Sequence, residues 1–121
     1  MLRFQVSISG GESLPLDVTF EAALATLEKL PRMFIEPDGS FVWAGEFADG
    51  ARWQVDGNLI DRGDVLAYVD INGTCPEERF DELVRAFGWP EAPLAFQLTR
   101  SGQTLAEAAF RELARSANGA M

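Results

Sequence analysis

Two Asp-Gly dipeptides, Asp38-Gly39 and Asp49-Gly50, cut residues 32 to 56 into three short apolar runs. No other feature limits the folds open to this chain as tightly. Asp-Gly between apolar runs favours a tight reversal, because glycine accepts the positive φ that hairpin turns demand. Segments 32–36, 41–47 and 52–56 therefore read as consecutive antiparallel strands. Segment 65–71 reads as a fourth strand, after a loop over 58–64.

The flanking sequence supplies the rest of the fold. Leu2, Phe4, Val6 and Ile8 alternate with Arg3, Gln5 and Ser7, as in a strand buried on one face, and Gly10-Gly11 ends it. Asp17 is positioned to cap a helix whose stripe is Phe20, Ala23, Leu24 and Leu27, with Pro31 beyond its end. Phe80, Leu83, Val84 and Phe87 mark a second amphipathic helix, closed by Gly88 and Pro90. Leu94, Phe96 and Leu98 alternate as a last strand. Thr104 and Glu107 then have the capping-box spacing for a helix through Phe110 and Leu113, closed by Asn118-Gly119. A chain of 121 residues fits one domain with one core. The expectation is a single α+β domain over residues 1–121: an antiparallel-rich sheet of about six strands with three helices, in the order β-α-β-β-β-β-α-β-α.

Composition narrows the function classes. The hydrophobic fraction of 47% and charged fraction of 24% are those of a globular protein. No apolar run approaches the roughly 18 residues of a membrane helix. The alternating N-terminus lacks the apolar centre of a signal peptide, so the protein is expected to begin at Met1 and to be cytoplasmic. The single cysteine agrees with a reducing compartment. A net charge of −9, from 10 basic and 19 acidic side chains, repels phosphate backbones and disfavours nucleic acid as a partner. There is no histidine and only one lysine, one tyrosine and one cysteine. Histidine-based triads, Cys-His dyads and cysteine- or histidine-rich zinc sites are thereby excluded within one chain. No cofactor is expected, and an enzyme is disfavoured.

Several short motifs invite a chemical reading. Cys75 lies where the second helix begins. Thr74 and Glu77 have the capping-box spacing there, or Cys75 caps the helix itself with Pro76 at its first position. Glu77 and Glu78 complement the helix dipole and disfavour a thiolate. With no histidine to act as base, the stretch reads as a helix start. The run from Asp70 to Cys75 lacks the EF-hand's fifth and sixth residues. Asp56, Asn58, Asp61, Asp64 and Asp70 give hard-cation oxygens, but loop and turn residues account for them, and no metal is expected. Arg62-Gly63-Asp64 reads as a turn. Ser9-Gly10-Gly11-Glu12-Ser13 lacks the phosphate-loop pattern and also reads as a turn.

The meander is the most informative region. With two-residue turns, Ile35 faces Val42, Phe34 faces Trp43 and Ala44 faces Val55. One sheet face then carries Met33, Ile35, Val42, Ala44, Trp53 and Val55. The other carries Phe34, Phe41, Trp43 and Phe47, with Glu36, Arg52, Gln54 and Asp56 around them. Such an aromatic face inside a polar rim has the composition of an interaction surface. Candidate binding residues are Phe34, Phe41, Trp43, Phe47 and Arg52, with Trp89 in its Pro-bounded loop. The first functional reading is a protein–protein interaction module, adaptor or immunity-type, binding a protein partner or itself. The second is a small-ligand or enzyme domain in which Arg52 binds an anionic group and Asp56 or Glu36 serves as acid or base.

Overall fold

The structure is a computed structural model that describes residues 1–11 and 14–116. Its elements are β1 (Leu2–Ser9), α1 (Phe20–Glu28), β2 (Met33–Ile35), β3 (Ser40–Glu46), β4 (Arg52–Arg62), β5 (Val65–Cys75), α2 (Glu77–Arg85), β6 (Ala95–Leu98), β7 (Thr104–Ala106) and α3 (Glu107–Ala114). The strands make one sheet in the order β2-β3-β4-β5-β1-β6-β7. Every neighbouring pair is antiparallel. The α+β class and the three helices are as expected, with one strand more.

The register of the meander differs by one residue from the expectation, and the turns explain it. Glu36 N–H donates to the Ser40 carbonyl and Gly39 N–H to the Glu36 carbonyl, both at 2.9 Å. Phe47 N–H donates to the Ala51 carbonyl at 2.7 Å, and Gly50 N–H to the Phe47 carbonyl at 2.9 Å. Each loop thus has three residues, a turn followed by a glycine at positive φ: Gly39 at 96° and Gly50 at 88°. Asp38 and Asp49 hold these loops by accepting from the Ser40 and Ala51 amides at 3.0 and 2.9 Å. The extra loop residue pairs Phe34 with Val42, Ile35 with Phe41 and Trp43 with Val55. A one-residue shift exchanges faces. Phe41 and Trp43 therefore join Met33, Ile35, Trp53 and Val55 on one side, and Val42 and Ala44 join Phe34 on the other.

The first of these sides is the core. It continues through Leu59 of β4, Val69, Ile71 and Cys75 of β5, all four even-numbered apolar residues of β1, and Phe96 and Leu98 of β6. Ala23 and Leu27 of α1, Phe80, Leu83 and Val84 of α2, and Phe110 and Ala114 of α3 pack onto that same face. Bulky rings lie over cross-strand glycines: Phe41 over Gly57, and Trp53 over Gly45. A Cβ at either glycine would collide with the ring, so these positions admit no larger residue without repacking. Among the described residues the opposite face carries no helix.

Four element boundaries also move. Thr19, not Asp17, caps α1, its hydroxyl accepting from the Ala22 amide at 3.0 Å. Pro76 is the N-cap of α2, and Thr74 and Cys75 belong to β5. The strand runs on because Leu2 and Arg3 of β1 pair with both residues. Thr104–Ala106 forms β7 rather than a capping box, and α3 starts at Glu107 with Ala106 as its N-cap. Pairing with β6 sets Leu105 opposite Phe96 and packs it against the core, a gain the local helix signal cannot match. The expected loop over 58–64 is mostly strand, leaving a two-residue turn at Gly63-Asp64. The closing Asn118-Gly119 lies outside the described residues, as do Glu12 and Ser13.

Candidate functional site

Because β1 and β5 are central and their outward residues alternate from Asp70 to Thr74 and along β1, the uncovered face is read as rows across the strands. One row is Ser40, Asn58, Asp70, Ser7, Gln97 and Thr104, running from β3 to β7. The next is Phe34, Val42, Asp56, Asn72 and Gln5. A third is Ala44, Gln54, Thr74 and Arg3. Amides, hydroxyls and two carboxylates dominate the centre. Ser7 Oγ donates to Asp70 Oδ1, and Gln54 Nε2 donates to Asp56 Oδ1 at 3.0 Å. Apolar side chains concentrate at the β2 edge, where Phe34 is 71% exposed beside Val42 at 40%.

Concavities open on this face, three of them among the described residues. The largest of the three, about 480 Å³, lies over β5, β1, β6 and β7 and is walled by Pro15 and Arg62. The second, about 390 Å³, spans β4, β5 and β1 and includes Asp56, Asn58 and Asn72. The third, about 410 Å³, takes in Arg52, Gln54 and Thr74. Asp70 and Ser7 line both of the first two.

The sequence-derived candidates divide accordingly. Phe41 and Trp43 are 3% and 1% exposed; they are core, not surface, and Trp43 Nε1 donates to the Pro31 carbonyl at 2.9 Å. Phe47 is half-buried against the core. Phe34 and Arg52 are exposed on the uncovered face. Arg52 and Asp56 are four residues apart on one strand, about 13 Å. Glu36 stands opposite Ser40, in the row of Asn58, one row past Asp56. Arg52, Asp56 and Glu36 are therefore spread along the hairpin and form no single constellation. Among the described residues no group of three acidic or cysteine side chains could hold a metal ion.

Trp89 serves a different purpose. Its Nε1 donates to Glu107 Oε1 at 2.7 Å, and the Arg85 and Arg111 guanidinium carbons lie 5.5 and 5.2 Å from its ring centroid. Arg111, only 7% exposed, is the hub of this cluster. It bonds Glu77 at 3.0 Å, Asp81 at 2.8 Å and Glu107 at 2.8 Å, and its guanidinium lies over the Phe80 ring. Arg115 adds bonds of 2.8 and 2.6 Å to Glu77. Hydrogen bonds from Arg115 and Arg111 pull the Glu77 carboxyl down to about 2 despite its partial burial. This cluster fastens α2 to α3. Of these pairs only Glu107–Arg111 has the opposite-charge, four-residue spacing that a sequence shows, and it does not reveal the bonds to α2.

Cys75 is fully buried opposite Leu2, and desolvation pushes its thiol up to about 12. Such a thiol stays protonated and unreactive. Among the described residues no helix is long and apolar enough to cross a membrane. Compared with protein-family models, characterised proteins and solved structures, the chain gives no match.

Proposed function

We propose that this protein is a small interaction module that seats a basic partner protein on the uncovered face of its sheet, with Phe34 as the anchor. The observation that carries this reading is the exposure of Phe34, 71%, the highest of any large hydrophobic residue described. A lone exposed apolar side chain is ordinary. Phe34 is not alone, since it stands directly opposite Val42 on a sheet without covering helices. Asp56 pairs with Val42, and Glu36 and Arg52 extend along the same hairpin. An aromatic anchor within such a polar rim is the composition of an energetic centre in protein interfaces. The net charge of −9 favours a basic partner and works against a second copy of the same chain.

The alternative, a ligand or enzyme site on Arg52 with Asp56 and Glu36, has less support because those groups do not converge. The test is affinity capture from the host's lysate with wild type beside Phe34→Ala. One near-stoichiometric basic protein should be retained by wild type and lost with the variant. Retention unchanged in Phe34→Ala would remove the anchor, and capture of nothing specific by wild type would remove the reading.

A further inference from the structure

The concavity of about 480 Å³ lies at the other end of the uncovered face from Phe34, and its lining is amphipathic. Its shape comes from a local irregularity. Ile60 pairs with Tyr68 and Asp61 with Leu66, so Ala67 is an extra residue in β5. Such a bulge bends its strand and re-aims side chains. Here it makes both Ala67 and Tyr68 line the hollow, between the buried Leu66 and Val69. The chain after β1 closes one side. Leu16 N–H donates to the Leu66 carbonyl at 2.9 Å and Thr19 bridges Val65, which sets Pro15 beside the hollow.

Two opposite charges lie in the lining, with Arg62 four residues along β4 from Asn58, the residue opposite Asp70, so that the long Arg62 side chain has to span the distance. Asp70 is steadied through one oxygen by the Ser7 hydroxyl, and its other oxygen has no protein partner among the described residues. Arg62, at the tip of the β4–β5 hairpin, forms no ion pair among the described residues. Pro15, Val65, Ala67 and the Tyr68 ring supply an apolar wall. A volume of about 480 Å³ is within the range of small-molecule sites.

We infer that this concavity binds a free amino acid with an apolar side chain. The carboxylate goes to Arg62, the ammonium to Asp70, and the side chain to the apolar wall. The planar guanidinium suits a carboxylate bidentately. A phosphate would meet Asp70, and a neutral sugar would leave both charges unused. This site is independent of the Phe34 surface and stands or falls separately.

The test is calorimetric titration of the full chain with L-phenylalanine and L-leucine, beside 3-phenylpropanoate, which lacks the amine, and phenethylamine, which lacks the carboxylate. Saturable binding of at least one amino acid is expected, at least about tenfold tighter than either truncated analogue, since each removes a charge-assisted bond. Arg62→Gln and Asp70→Asn should each weaken it about tenfold. Both positions are exposed, and circular dichroism verifies that each variant is folded. No saturable binding of either amino acid, equal binding of an analogue, or undiminished binding by either variant would overturn the assignment.

Discussion

Trp43 stacks edge-on against Trp53 with ring centroids 5.0 Å apart, while Phe34, in the same hairpin, points away from every helix. One loop residue decides that difference. Trp43→Ala should cost about 3–5 kcal/mol, the usual range for deleting a buried aromatic, and Phe34→Ala no more than about 0.5 kcal/mol. Urea unfolding of the two variants measures both. The reverse ranking would mean the hairpin pairs in the register of two-residue turns. At this scale the sequence was legible in kind: Phe34 and Arg52 could be named as surface candidates, and Cys75 as a poor nucleophile. It was not legible in side, because Asp-Gly serves two-residue and three-residue loops equally well and the two put opposite faces inward. Nor could Cys75 be placed correctly. Pro76 and two glutamates announce a helix, but the strand pairing that carries β5 through Cys75 comes from β1, some seventy residues away.

Helices α2 and α3 are joined by charge as well as by packing. Glu77 in the first turn of α2 receives bonds from Arg111 in α3 and from Arg115 just after it. Its folded carboxyl value, about 2, lies below the ordinary glutamate value of 4.5. A depressed carboxyl contributes stability that is fully present above its unfolded value and is lost as pH falls through the folded one. Glu77→Gln should therefore lower stability by about 2 kcal/mol at neutral pH, and the gap from wild type should close between about pH 4.5 and pH 2. Chemical unfolding across that range checks it. A constant gap would mean that the glutamate acts by packing alone. Local pattern made the elements readable: alternation revealed β1 and β6, and three-to-four spacing revealed all three helices. It misread 104–107 because the signal for a cap there is local, whereas the residues gain more from lengthening the sheet. The Arg111 cluster was invisible for the same reason, since its carboxylates come from two helices thirty residues apart.

For the whole molecule, a net charge of −9 on a chain of 121 residues has two consequences of opposite sign. Like charges repel in the compact state, so salt that screens them should stabilise the fold. The same screening weakens attraction to a basic partner. Raising sodium chloride from about 0.01 to about 0.5 M, which shortens the Debye length from about 30 Å to a few ångströms, should raise the Tm by about 3 °C. Over the same range, retention of the captured partner should fall. The α2–α3 ion cluster opposes the first effect only weakly, because its hub Arg111 is shielded from solvent and its pairs are short. Parallel thermal melts and salt-graded elutions measure the two responses on one preparation. A Tm that falls with salt would mean that specific ion pairs outweigh the net repulsion. Retention indifferent to salt would leave the apolar pair Phe34 and Val42 as the whole of the attraction, and the acidic surface as a device for solubility only.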